Sequence, residues 1–246
     1  MRTKEQDLKE RLTKRFRKAL TQFSMISDGD KILVGLSGGK DSLCLLELLA
    51  ERMQITCPRF SVEAVHIRMK NILYESDTSY LEQFAKECGV RLHIITTEFE
   101  ERADSNKPAC FLCSWHRRKQ LFRFAQDNGF NKIALGHHMD DIIHTAMLNQ
   151  FYQGQFSTMP AVLEMEKMPI TIIRPLCMEH ESDLLEYSRM RKYETQLKTC
   201  PFETASNRSS MRHFFEQIEE QNPEARYSIW HALEVDGKLA HRKDTP

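Results

Sequence analysis

The chain of 246 residues contains no apolar run near the roughly 18 residues that mark a transmembrane helix, so no segment reads as a membrane span. Its opening, Met1-Arg2-Thr3-Lys4-Glu5-Gln6-Asp7, is charged and lacks the apolar stretch of a secretory signal. No charge of one sign is in excess. The 35 Lys and Arg balance 35 Asp and Glu, and the molecule as a whole has no net field to draw a polyanion. Proline and glycine are few, eight and nine, and no Pro/Gly linker, repeat or low-complexity tract divides the chain. The cysteine count is an odd seven. A chain this long can bury a full core without disulfides. The cysteines therefore point to reduced thiols and a metal site in the cytoplasm rather than to a disulfide frame.

What is present is an alternation of strand and helix patterns. Residues 31–36, 61–67, 90–95, 132–136 and 170–174 read as strands. Residues 41–53, 78–88, 114–127 and 140–152 read as helices, and 180–193, 207–221 and 223–235 form a helical last third. The alternation predicts an α/β fold, a doubly wound parallel sheet with N- and C-terminal helical additions. A single domain is expected, with a helical segment over 1–28, an α/β core over 29–178, helices over 179–236 and a loose polar tail over 237–246. Ligands of such sheets bind beyond the C-terminal strand ends.

Two glycine-containing motifs lie at such ends. After Ile32-Leu33-Val34-Gly35-Leu36 comes Ser37-Gly38-Gly39-Lys40-Asp41-Ser42, which opens a helix. Backbone N–H groups and the positive end of the helix dipole then face one point, which suits a phosphate. The two glycines let a ligand approach the main chain, and Lys40 adds a mobile positive charge. This is not a Walker A loop, which would need glycine at Val34 and a hydroxyl at Asp41. The string instead resembles the PP-loop of the ATP pyrophosphatase superfamily. That resemblance implies that Ser37, Gly38, Gly39, Lys40, Asp41 and Ser42 hold the pyrophosphate end of ATP while the α-phosphate is attacked. The second motif is Gly136-His137-His138-Met139-Asp140-Asp141. Asp140 and Asp141 at a helix start are read either as caps or as carboxylates holding Mg²⁺ beside a triphosphate. Gly136 and His137 are candidate nucleotide contacts.

Cys110 and Cys113 form a C-x-x-C at the start of the helix Ser114-Trp115-His116-Arg117-Arg118. A zinc site would need a second ligand pair, which the sequence lacks, and a thioredoxin-type pair would follow the first strand of its fold. Two unrelated buried cysteines remain one alternative. An iron–sulfur cluster is the other, and it needs a further thiolate. Cys200, outside any periodic apolar pattern, is the best candidate. Cys44 and Cys88 fall within helical patterns and read as core; Cys57 and Cys177 read as structural.

Taken together, C-x-L-C-S-x-x-R-R, K-I-A-L-G-H-H-x-D-D-I, F-Y-x-G and I-I-R-P-L occur in order along about residues 20–235. This arrangement resembles the tRNA 2-thiocytidine synthetase family, itself similar to the PP-loop lysidine synthetases. The resemblance implies the adenine-nucleotide α-hydrolase-like fold, ATP, Mg²⁺ and a [4Fe–4S] cluster held by Cys110, Cys113 and Cys200 with one iron open to sulfur. It implies a tRNA thiolase that adenylates C2 of an anticodon-loop cytidine, with a sulfur donor such as a cysteine desulfurase and a homodimer as candidate partners. Two departures stand out. Glu203 occupies the second position of the family's C-terminal C-x-x-C, and Arg68 stands where the family tends to place Asp. A lysidine-type enzyme without a cluster and a non-catalytic nucleotide-binding protein are the alternatives. Three basic stretches are candidate RNA contacts or solvated faces: residues 1–20, residues 107–123 with Arg117, Arg118 and Lys119, and the run from Arg189 to Arg212.

Overall fold

The computed structural model describes residues 3–70, 72–74, 77–98, 109–196, 198–199 and 207–242. Helix α1 (Lys4–Gln22) starts at a capping box, in which the Thr3 hydroxyl and the Gln6 amide satisfy each other's backbone N–H groups. Its Leu8, Leu12, Phe16, Ala19 and Leu20 recur at helical spacing and are all buried. Then follow β1 (Lys31–Gly35), α2 (Lys40–Met53), β2 (Ser61–Met69), β3 (Leu73–Tyr74), α3 (Ser79–Glu87), β4 (Arg91–Thr97), α4 (Ala109–Asp127), β5 (Lys132–Ala134) and α5 (Met139–Gln153). The chain continues through β6 (Val162–Glu164), β7 (Thr171–Ile173), α6 (Glu181–Met190), β8 (Lys198–Thr199), α7 (Asn207–Gln221), α8 (Ala225–Val235) and β9 (Ala240–His241).

The main sheet has the order β4-β2-β1-β5-β7-β6-β9. Strands β4, β2, β1, β5 and β7 are mutually parallel, β6 runs antiparallel to β7, and β9 runs parallel to β6. Alternate residues of β1 serve opposite faces, as a pleated strand requires. Ile32 and Val34 join the large core beneath α1, α2, α3 and α5, while Leu33 joins Leu121 and Ala125 of α4 on the other side. Both faces are thus covered, the condition for a parallel sheet. Helix α2 is buried over Ser42–Ala50 and forms the centre of the layer. Among the described residues no helix is long and apolar enough to cross a membrane.

The structure corrects the sequence-based expectations in three places. Helix α4 begins at Ala109 rather than near 114, so Cys110 and Cys113 lie inside its first turns. The strand at 171–173 is not the last one, because β8 and β9 follow it. The expected loose tail contains β9, held there because buried Leu239 anchors it and the Ala161 N–H donates to the Leu239 carbonyl at 2.7 Å.

Candidate active site

The glycine loop leaves β1 at its C-terminal end and enters α2 without a side-chain cap, Gly39 taking the N-cap position. The Ser42 N–H turns back to the Gly39 carbonyl at 3.1 Å, which leaves the Lys40 and Asp41 N–H groups at the helix start to face an anion. Internal hydrogen bonds shape the loop. Ser42 Oγ donates to the Gly39 carbonyl at 2.9 Å, Ser37 and Ser42 hydroxyls meet at 3.1 Å, and Gly39 N–H reaches Ser37 Oγ at 3.3 Å. Gly38 has φ +84°, a conformation that favours glycine. Its carbonyl accepts the Gln196 N–H at 2.9 Å, and a Cβ on Gly38 would come within 2.7 Å of Gln196 Cβ. Behind the loop, His66 of β2 is buried, and its Nδ1 sits 2.7 Å from the Leu36 carbonyl, fixing the strand end. Burial lowers the His66 pKa, and the Arg117 and Arg68 charges act in the same direction. With a carbonyl partner, Nδ1 carries the proton.

Lys40 Nζ lies 3.0 Å from Asp41 Oδ2 and 3.5 Å from Glu181 Oε1. The other oxygen of Asp41 is buried with no protein partner, so it offers one acceptor at the loop for a cation or a ligand donor. Gly136 sits against the first turn of α2. A Cβ there would stand 3.0 Å from the Asp41 carbonyl carbon and 3.1 Å from Ser42 N. The glycine at 136 is thus explained by close backbone approach, which brings the two motifs together.

At the start of α5, His138 is the N-cap and its N–H donates to Asp141 Oδ2 at 3.2 Å. Asp140 is buried, and protein donors surround it. Its Oδ2 accepts the Glu181 N–H at 2.9 Å and lies 3.4 Å from His138 Nδ1, and its Oδ1 is bound by the Arg226 guanidinium. Burial opposes its charge, but the His138 hydrogen bond and the Arg226 charge outweigh burial and hold its pKa well below the usual carboxylate range. Glu181 links the motifs, its side chain reaching Lys40 and Arg212 while its backbone caps Asp140. Across the sheet, His137 Nδ1 accepts Arg174 Nε–H at 3.2 Å. Arg174 is buried and also donates to the Pro160 carbonyl, and burial together with the Arg118 charge pushes its pKa down to about 10.

Of the proposed cluster ligands, Cys113 is half-buried and packs with Leu112 against Met69 and Ile72. Cys110 is the second residue of α4, and Cys200, like Glu203, lies outside the described residues, as does the Cys110 side chain. Ile72 leads directly into β3, and Leu73 of β3 pairs with Thr199, the neighbour of Cys200 in sequence. Among the described residues no three His, Cys, Asp or Glu side chains gather as a metal site.

The basic stretches separate once partners are seen. Arg11 and Arg15 pair with Asp183, Lys9 with Glu47 and Glu51, Arg191 with Glu47, and Arg212 with Glu181. Arg118 and Lys119 of α4 have no carboxylate within 4 Å among the described residues and are exposed. Sequence reasoning missed Glu181, Arg226, Arg174, His66 and Gln196. Of these only Arg174 carried a local signal, within I-I-R-P-L.

A family model described as PP-loop domain matches residues 8–214. The tRNA-cytidine(32) 2-sulfurtransferase 1 of Francisella tularensis subsp. novicida is 36% identical over 231 residues, 92% of this chain and 86% of its own. The tRNA-cytidine(32) 2-sulfurtransferase of Alcanivorax borkumensis is 34% identical, covering 95% of this chain and 83% of its own. The U34-tRNA thiolase NcsA from Methanococcus maripaludis, solved with its [4Fe-4S] cluster, aligns with a TM-score of 0.75 at 23% identity, over 94% of this chain and 79% of that one. That likeness extends to the shared fold. The chain belongs to the PP-loop domain family, among the relatives named tRNA-cytidine(32) 2-sulfurtransferases.

Proposed function

We propose that the protein is an ATP-dependent tRNA-cytidine 2-sulfurtransferase acting on cytidine 32 of the anticodon loop. The observation that carries this is the uncapped glycine loop of α2, joined through Glu181 to the Asp140–Asp141 helix, in a chain alignable over nine-tenths of its length with sulfurtransferases of that name. An unpaired loop exposes the cytosine edge that a duplex would hide.

ATP is the co-substrate. The Lys40 and Asp41 N–H groups at the start of α2 and the Lys40 ammonium take its pyrophosphate end, and Ser37, Gly38, Gly39 and Ser42 shape the cradle. The cytosine C2 oxygen attacks the α-phosphate. A new O–P bond forms, and pyrophosphate leaves as the α–β bridge breaks. A sulfur nucleophile then bonds to C2 and the C2–O bond breaks, releasing AMP. Most of the rate enhancement comes from positioning and from neutralising charge on the phosphates. Mg²⁺ would be held by Asp141 and Asp41, whose unpartnered buried oxygen fits a cation, and would supply that neutralisation. Asp140, already bound to Arg226 and the Glu181 N–H, is a positioning residue that fixes the start of α5. His137 is a nucleotide contact whose ring is held through Nδ1 by Arg174.

Cys110, Cys113 and Cys200 would hold a [4Fe–4S] cluster, which supplies an open iron site for sulfur. The donor set is soft thiolate, and the pairing of Thr199 with Leu73, next to the Ile72 that packs on Cys113, supports their convergence. A cysteine desulfurase supplies the sulfur in the cytoplasm. Exposed Phe151, Tyr152 and Phe214 are the surface available to a homodimer. Incubation of anaerobically prepared protein with ATP, sulfide and tRNA tests the reading. AMP and 2-thiocytidine should appear in equal amounts. AMP release that does not depend on RNA would refute it.

A further inference from the structure

Building on the thiolation reading, we infer that the outer face of α4 is a stacking platform for an unpaired nucleobase of the RNA loop, with Trp115 as its centre. Phe111, Trp115 and Lys119 recur every four residues and so share one side of the helix. Phe111 is 46% exposed and Trp115 47% exposed. Large aromatic rings usually serve the core, and the other tryptophan, Trp230, does so at 8% exposure, edge-on to Phe23. Trp115 is instead presented outward with the Lys119 ammonium 5.1 Å from its ring centre.

Three observations select a nucleic acid as the occupant. First, residues 107–123 contain five Lys and Arg side chains and no Asp or Glu. Second, Arg118 and Lys119 lack carboxylate partners among the described residues, whereas Lys9, Arg11 and Arg15 of the first basic stretch and Arg191 and Arg212 of the third are paired inside the protein, as Arg123 is with Asp127 at the far end of α4. Third, one helix carries both the platform and a proposed cluster ligand. Leu112 and Cys113 face inward onto Met69 and Ile72, and Trp115 follows two residues later, about 3 Å along the axis. An aromatic face flanked by cations is what single-stranded RNA requires, because every base offers a π face and every nucleotide a phosphate. Trp115 is thus a recognition residue, distinct from the residues that activate ATP.

The test uses the full chain with Trp230→Phe as background, so that fluorescence reports Trp115. An unmodified tRNA transcript should quench that emission on binding, and a transcript with its anticodon loop closed into duplex should not. Trp115→Ala should weaken tRNA binding by roughly five- to a hundred-fold, the loss of one stacked base. Trp115→Phe should recover most of it, and ATP binding should be unchanged in both. Lys119→Ala should lower the slope of log affinity against log salt by about one phosphate contact. Equal tRNA affinity for Trp115→Ala and its parent would overturn the platform while leaving the thiolation reading in place. If Trp115→Ala instead lost affinity only for a cysteine desulfurase, the face would belong to a protein partner. No tRNA binding by the parent itself would overturn both readings.

Discussion

Glu47 offers the sharpest quantitative prediction about what holds the site together. It lies two turns beyond the glycine loop in α2 and is buried. Its carboxylate accepts Tyr187 Oη–H at 2.7 Å, Tyr193 Oη–H at 2.6 Å, Lys9 Nζ at 3.3 Å and Arg191 Nε at 3.4 Å. One side chain therefore ties α2 to α1, to α6 and to the segment that carries Gln196 onto Gly38. Glu47→Ala leaves two tyrosine hydroxyls and part of a guanidinium without an acceptor. Removing one partner of such a buried charged network costs about 3–5 kcal/mol. For a domain of this size that is a fall in Tm of about 6–20 °C. Thermal unfolding followed by circular dichroism measures it, and a cycle with Tyr193→Phe should show coupling of about 0.5–3 kcal/mol. Burial raises the Glu47 pKa, but the two tyrosines and Arg191 outweigh burial and leave it below the ordinary value. The stabilisation is then complete above about pH 4.3, the unfolded pKa, and fades as pH falls through the folded one. The gap between wild type and Glu47→Gln should narrow in that acid range. A Glu47→Ala protein melting within a degree or two of wild type would refute the reasoning.

Three other outcomes are expected. Gly38→Ala forces a side chain into φ +84° and against Gln196, costing about 1–3 kcal/mol and raising the KM for ATP; Gln196→Gly in the same chain, which removes both the Cβ and the Cγ that the new methyl would meet, should relieve the clash but not the backbone cost, which urea titration separates. Lys40→Ala and Asp41→Ala should each lower AMP formation by roughly several hundred-fold with unchanged circular dichroism, and full turnover in either would remove the loop from the mechanism. Cys110→Ser, Cys113→Ser and Cys200→Ser should each abolish visible absorbance near roughly 400 nm that Cys44→Ser and Cys88→Ser retain, and stoichiometric zinc without iron after anaerobic purification would contradict the cluster.

The parts legible in the sequence were those written locally. Ser37–Ser42 and Gly136–Asp141 announce themselves because a glycine turn between a strand and a helix has few other uses, and both were found at the C-terminal strand ends. The five parallel strands followed from apolar runs separated by helical periods. Strands β3, β8 and β9 have two residues each, too short for any alternation to register, and β8 is placed by pairing with β3 across the fold. The start of α4 was missed because a C-x-x-C reads as a loop. Glu181, Arg226 and Gln196 gain meaning only from tertiary contact. Arg226 sits 86 residues from the Asp140 it binds, and nothing near it in the chain marks it. The basic stretches were visible as composition, but only their partners distinguish paired cations such as Arg11, Arg15 and Arg191 from Arg118 and Lys119 of α4.

Thiolation of tRNA cytidine is tested most directly by mass spectrometry of tRNA nucleosides from cells with and without this gene. The account predicts that 2-thiocytidine is present at position 32 in the parent, absent from the deletion, and restored by the wild-type gene but not by Lys40→Ala. An unchanged level of 2-thiocytidine in the deletion, or none in the parent, would contradict it.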